Sequence, residues 1–135
     1  MKINQLKLNK VCQKNQIILV YLFGSEARNE AHQESDVDIG ILFDKKVNKE
    51  DYLIREGKLI DFFSGIYLKK EINIVNLNIS SPLLKQNVIL EGKLLYKKSN
   101  LERIYFQINT LQEYDEYSHL NNIYNEVLNL KLKTL

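Results

Sequence analysis

Two short stretches of this 135-residue chain carry side chains arranged for chemistry: Gly24-Ser25 and, after ten intervening residues, Asp36-Val37-Asp38. In a strand, residues two apart point to the same face, so Asp36 and Asp38 stand side by side while Val37 and Ile39 turn toward a core. Adjacent carboxylates repel each other, and a bridging cation is the physical reason to place them so. An oxygen-only pair suits Mg²⁺, which takes one or two carboxylates and completes its shell with waters and phosphate oxygens. Gly24-Ser25 supplies the complementary half. Glycine at a strand end admits close backbone approach, and a helical turn opening at Ser25 offers free N–H groups and a hydroxyl to an anion. Ser35, just before the acid pair, adds a further polar group. Each half alone is commonplace, but the two together read as a nucleotide site.

For a phosphate at Gly24 to meet a cation on the aspartates, the end of the first strand must lie beside the start of the second. Those two strands are therefore expected to be antiparallel. Ile17 to Phe23 (IILVYLF) is a continuous β-branched and aromatic run, the mark of a central strand buried on both faces. Asp36 to Phe43 reads as the second strand, with Val37, Ile39, Ile41 and Phe43 on one face, and Glu71 to Leu77 as the third. Before the first strand, Ile3 to Lys14 holds a short amphipathic helix with Leu6, Val11 and Cys12 near its inner side. Ser25 to Ala31 is expected to form a short helical turn capped by Ser25. A helix opens at Asn48 and runs to about Phe63, with Leu53, Ile54, Ile60 and Phe63 near helical spacing and Gly65 closing it. Ser81-Pro82 starts another that ends at Gly92, and Lys93 to Tyr96 is a short edge strand. From Leu101 to Leu130 the apolar spacing marks a long C-terminal helix or helix pair. The alternation predicts an α/β fold with helices against a small sheet.

The composition narrows the setting. Nineteen basic against seventeen acidic residues leave a net charge of +2, which argues against a dedicated nucleic-acid binder. Cys12 is the sole cysteine, so neither an internal disulfide nor a thiolate metal cage is available, and a buried thiol in a reducing compartment is expected. Met1 to Gln16 lacks the apolar core of a signal peptide, and no apolar run approaches the ~20 residues that span a bilayer. The expected location is the cytoplasm. At this length the chain is one domain, residues 1–135, without room for a separate substrate-specificity domain.

The runs Gly24-Ser25-Glu26-Ala27-Arg28 and Ser35-Asp36-Val37-Asp38-Ile39-Gly40 resemble the signature of the polymerase-β-type nucleotidyltransferase superfamily. More narrowly, the chain resembles the minimal nucleotidyltransferase antitoxins of HEPN/MNT toxin–antitoxin pairs, of type VII-like character. The likeness continues through Leu77-Asn78 and Leu90-Glu91-Gly92-Lys93-Leu94-Leu95-Tyr96, and loosens beyond Asn100. It implies a nucleotidyltransferase fold, ATP and Mg²⁺ as ligands, and transfer of AMP to a tyrosine of a partner HEPN ribonuclease, silencing it in a hetero-oligomeric complex. Carried over by position, Gly24 and Ser25 hold the triphosphate, Arg28 contacts phosphate, and Asp36 and Asp38 bind metal ions. Asn29 stands where the family often has glycine. The larger departure is Asn73, which falls where active members place a third carboxylate. An amide accepts no proton at neutral pH and is a weaker ligand than a carboxylate; Glu71, on the same strand face, is a candidate substitute. A working transferase and an impaired one that neutralises its toxin by binding alone both fit; a small-molecule nucleotidyltransferase is a third alternative.

The remaining candidates have plainer explanations. Arg28 is equally suited to a surface salt bridge with Glu30 or Glu34. His32 and His119 lack mutual ligand spacing and read as ordinary polar positions. Lys45-Lys46, Lys69-Lys70 and Lys97-Lys98 read as solvated turn charges. Tyr105, Tyr114, Tyr117 and Tyr124 line the C-terminal segment, and tyrosine suits surfaces with one apolar and one wet side. Residues 100–135 are therefore expected to form a helical partner-binding extension.

Overall fold

A computed structural model of the chain describes residues 2–28 and 35–134. Expectations placed on Asn29, Glu30, Ala31, His32 and Glu34 lie outside these residues.

The hydrophobic run Ile17–Phe23 forms β1, buried along nearly its whole length. It pairs antiparallel with β2 (Val37–Phe43), which in turn pairs parallel with β3 (Ile72–Asn76). The fourth strand, β4 (Lys93–Lys97), lies antiparallel on the other side of β1, giving a mixed sheet of order β3-β2-β1-β4. The antiparallel β1–β2 pairing demanded by the chemistry is present, with Phe23 opposite Asp38.

Helices cover both faces. On one side, α1 (Gln5–Lys14) and α2 (Tyr52–Ser64) pack over Val20, Leu22, Val37, Ile39, Ile41 and Phe43. On the other, α3 (Pro82–Glu91) and α4 (Asn100–Lys133) meet Leu19, Tyr21 and Leu77 through Val88 and Phe106. The caps are those their sequences call for: Asn4, Ser81 and Ser99 each accept a backbone N–H of the first turn, and Pro82 follows Ser81 where its missing N–H costs nothing.

Two helix faces differ from the periodicity reading. In α1 the buried pair is Leu8 and Cys12, one turn apart, while Leu6 points to solvent. Lys49–Asp51 forms a 3₁₀ turn ahead of α2, and within α2 the stripe that shares a face with Tyr52, not the one through Leu53 and Ile54, turns to the sheet. Leu59 and Phe63 consequently face the core, Tyr52 stacks on Phe43 at 4.9 Å, and Leu53 and Ile54 are exposed, as is Ile60 at the margin. Residues 24–28 make a turn in which the Arg28 N–H donates to the Gly24 carbonyl at 3.3 Å, the spacing of one helical turn; the rest of the turn expected to Ala31 lies outside the described residues.

The C-terminal segment is one continuous helix of 34 residues, about 50 Å long. Its only buried residues are Phe106 and Thr110. At 100° per residue, Arg103, Phe106, Thr110 and Tyr114 share the face toward the sheet. Leu120, Ile123, Val127 and Leu130 line a second, exposed stripe about a third of a turn away. No helix among the described residues is long and apolar enough to cross a membrane.

Cys12 is free and wholly buried. Desolvation pushes its thiol from 9.0 up to about 12. Because folding raises this pKa, the thiol's contribution to stability is fully present below pH 9 and is lost as pH climbs from 9 toward 12. Near neutral pH the thiol is un-ionised and enclosed, so iodoacetamide should leave the native chain unmodified and label it once in guanidinium, read by intact mass. Rapid labelling of the native chain would contradict this burial.

Candidate active site

The site is assembled where three strands meet at one end of the sheet. Asp36 lies exposed just ahead of β2, and Asp38, half-buried, is its second residue. Val37 between them is fully buried, so the period of two puts both carboxylates on the α3/α4 side of the sheet, beyond the part those helices cover. The Val37 N–H donates to the Glu71 carbonyl at 2.9 Å, and Asp38 falls in register with Asn73 of β3. The Asn73 amide Nδ2 donates to Asp38 Oδ1 at 3.3 Å and to Asp36 Oδ2 at 3.4 Å, two long hydrogen bonds that span the acid pair.

On the other flank, β1 ends at Phe23 and Gly24 turns the chain with φ +71°, a left-handed conformation that favours glycine. A Cβ placed there would come within 2.4 Å of Asp38 Oδ2. The absence of a side chain at Gly24 is thus what lets the turn and the carboxylate approach so closely. Two ion pairs pin the turn. Glu26 receives Lys70 Nζ from the loop before β3, both side chains being more than four-fifths buried. Arg28 Nη1 meets Glu91 Oε2 at the end of α3, 3.3 Å away and half-exposed.

Gly24, Asp36, Asp38 and Asn73 are therefore brought together as the spacing requires, and Ser25 and Ser35 adjoin them in the chain. Arg28 pairs with Glu91, a partner the sequence reading did not name; Glu30 and Glu34 lie outside the described residues. Lys70 is no solvated turn charge. Its partner Glu26 was missed as a positioning residue, and nothing in the sequence links positions 44 residues apart. Burial, with the Glu26 carboxylate nearby, raises the Tyr67 phenol above its ordinary pKa on the same loop. Glu71 precedes β3 and is exposed; the register sets it beside Asp36. His119 stands on the outer part of α4, remote from these residues in the fold.

The donor set bears on a divalent cation in a specific way. Among the described residues no three His, Cys, Asp or Glu side chains cluster as a self-sufficient metal cage. Two adjacent carboxylates, Asp36 exposed and Asp38 half-buried, beside a glycine turn instead fit a Mg²⁺ that arrives with phosphate oxygens in its shell. These residues lie at one end of the sheet. A groove of about 750 Å³ lies at the opposite end of the sheet, where Leu42, Asp44, Lys85 and Tyr105 line it.

Known proteins resemble this chain in sequence and fold. The chain is 27% identical over 115 residues to protein adenylyltransferase MntA of Shewanella oneidensis, covering 84% of this chain and 78% of that protein. A crystal structure of a toxin–antitoxin with AMP-PNP superposes with a TM-score of 0.70 at 26% identity, over 93% of this chain and 99% of the other. The fold also matches, at a TM-score of 0.63 and 24% identity over 92% and 95% of the two chains, a complex of tri-AMPylated Shewanella oneidensis HEPN toxin with MNT antitoxin. Residues 6–101 match the family described as Polymerase beta, Nucleotidyltransferase, a span that takes in the glycine turn, both aspartates and all four strands. By that match and by its mixed sheet, the chain belongs to the polymerase-β nucleotidyltransferase family.

Proposed function

We propose that this chain is the antitoxin of a toxin–antitoxin pair and transfers AMP from ATP to a tyrosine hydroxyl of a HEPN-type toxin. The observation that carries the reading is the meeting of the Gly24 turn with the Asp36 and Asp38 pair at one end of the sheet. The relatives support it: MntA is named a protein adenylyltransferase, and the HEPN toxin crystallised with its MNT antitoxin bears three AMP groups.

In this reading the backbone amides of the turn and the Ser25 hydroxyl receive the polyphosphate, with Ser35 at its edge. Arg28, kept beside the turn by Glu91, adds a positive charge there. Asp36 and Asp38 would hold Mg²⁺. When bound, that ion neutralises phosphate charge and polarises the phosphorus–oxygen bonds. The acceptor oxygen bonds to the α-phosphorus, the bond to pyrophosphate breaks, and the hydroxyl proton passes to solvent. The catalysis asked of this chain is positioning and charge, which few groups can provide.

The same reading treats residues 1–135 as one nucleotidyltransferase domain whose helical segment, 100–135, binds the partner. The exposed stripe Leu120-Ile123-Val127-Leu130, rotated away from the face that packs on the sheet, supports this. A buried free thiol suits a reducing cytoplasm.

The test is incubation with ATP, Mg²⁺ and the partner, followed by intact mass. The partner should gain AMP units with the native chain. With Leu120→Glu/Val127→Glu, complex formation should weaken by at least ~100-fold, since two charges enter an apolar contact. A second reading, neutralisation by binding alone, is favoured by Asn73 at the third-strand position. Neutralised toxin with no mass gain would select it.

A further inference from the structure

From the position and contacts of Asn73 we infer that the chain works with one divalent cation, the one chelated by its nucleotide, and that the Asn73 amide occupies the place of a second. The inference rests on the nucleotidyltransferase reading above. The sheet order β3-β2-β1 gives the acid pair two distinct flanks. Toward β1 lies the Gly24 turn, to which the proposed function assigns the phosphates. Toward β3 lies Asn73, in register with Asp38 and away from that turn.

A cation on the β1 flank shares its shell between Asp36, Asp38 and phosphate oxygens. A cation on the β3 flank would have no phosphate to draw on and would need a third anionic ligand from β3. Asn73 presents an amide there, and its Nδ2 points to Asp36 Oδ2 and Asp38 Oδ1 rather than away from them. The amide donates positive partial charge to one oxygen of each carboxylate, which relieves their repulsion in the manner of a weak cation. It also orients both groups, leaving their remaining oxygens available. Asn73 is thus a positioning residue: it acts on the nucleotide's cation through the two aspartates. No other His, Cys, Asp or Glu among the described residues completes a three-ligand cluster with them.

The test counts cations rather than turnover. Full-length chain is titrated with Mn²⁺ in the presence of saturating α,β-methylene-ATP, and bound Mn²⁺ is read by electron paramagnetic resonance. The native chain should bind one Mn²⁺, and Asn73→Asp should bind two. Asn73→Ala should still bind one, with affinity lowered by ~10-fold or more as expected when an orienting partner of a metal ligand is lost. Two ions on the native chain, a single ion on Asn73→Asp, or unchanged affinity in Asn73→Ala each overturns the inference. If the nucleotide analogue itself fails to bind, the nucleotidyltransferase reading falls with it. Two ions beside a bound nucleotide would remove this inference alone.

Discussion

Asp38→Asn lowers AMP transfer to the partner by at least ~10³-fold, a loss of about 4 kcal/mol of transition-state stabilisation, while leaving the fold intact. Asp38 is the carboxylate on which everything at the rim converges. It pairs with Phe23 across β1, lies in register with Asn73, and is the group that Gly24 makes room for. Its replacement removes half the anionic charge available to the nucleotide's cation. Asp36→Asn should be damaging but milder, because Asp36 precedes the strand, is more exposed, and is fixed by fewer neighbours. Neither change touches a buried side chain. The melting temperature should therefore stay within ~2 °C of the native value, as for a surface substitution of ~0.5 kcal/mol. The measurement is the rate of mass gain of the partner at saturating ATP and Mg²⁺. Transfer by Asp38→Asn within tenfold of native would remove Asp38 from the machinery.

Gly24→Ala should cost both activity and stability, a pairing that separates it from the aspartate changes. At φ +71° an alanine is strained, which costs ~1–3 kcal/mol. Its Cβ would also sit 2.4 Å from Asp38 Oδ2, so the carboxylate has to swing aside. A displacement of about 1 Å in a positioned group lowers rate by ~10²-fold. The expected result is a lower denaturant midpoint together with a transfer rate ~10²-fold down. Ser25→Ala, which keeps the backbone and loses one hydroxyl, should leave stability unchanged. A Gly24→Ala chain of native stability and rate would show that the turn tolerates a side chain and that the close approach is unimportant.

Much of this arrangement was legible because chemistry and periodicity constrain the same residues. The run from Ile17 to Phe23 has no polar face, so it had to be central, and it is. The antiparallel pairing followed from requiring Gly24 and Asp38 to meet. Asn73 was placed by resemblance, and the β2–β3 register puts it against Asp38. Other features were hidden for physical reasons. A helical stripe says that an apolar face exists but not which of two competing stripes is covered; Leu6 and Leu53 lost to Leu8 and Leu59. The 3₁₀ turn at Lys49–Asp51 has no breaker residue to announce it. Long-range ion pairs such as Arg28–Glu91 and Glu26–Lys70 depend on how loops meet across the fold, which local spacing does not encode. The tyrosine and leucine spacing of residues 101–130 was equally compatible with one helix or two. The segment is a single helix, free of glycine and proline throughout.

Site and core alternate along the same strands: Asp38 lies between buried Val37 and Ile39, and Asn73 between core-packed Ile72 and Ile74. Selection on chemistry and selection on folding therefore act on interleaved but separate positions. An exchange at the rim changes stability by ~0.5 kcal/mol, small against the ~5–15 kcal/mol that holds a domain folded. A lineage built on this sheet can trade a carboxylate for an amide at position 73, and later trade it back, without its cellular abundance registering either event. Descendants of one ancestor that differ in how many cations they hold would then be separated by a single step on a common scaffold.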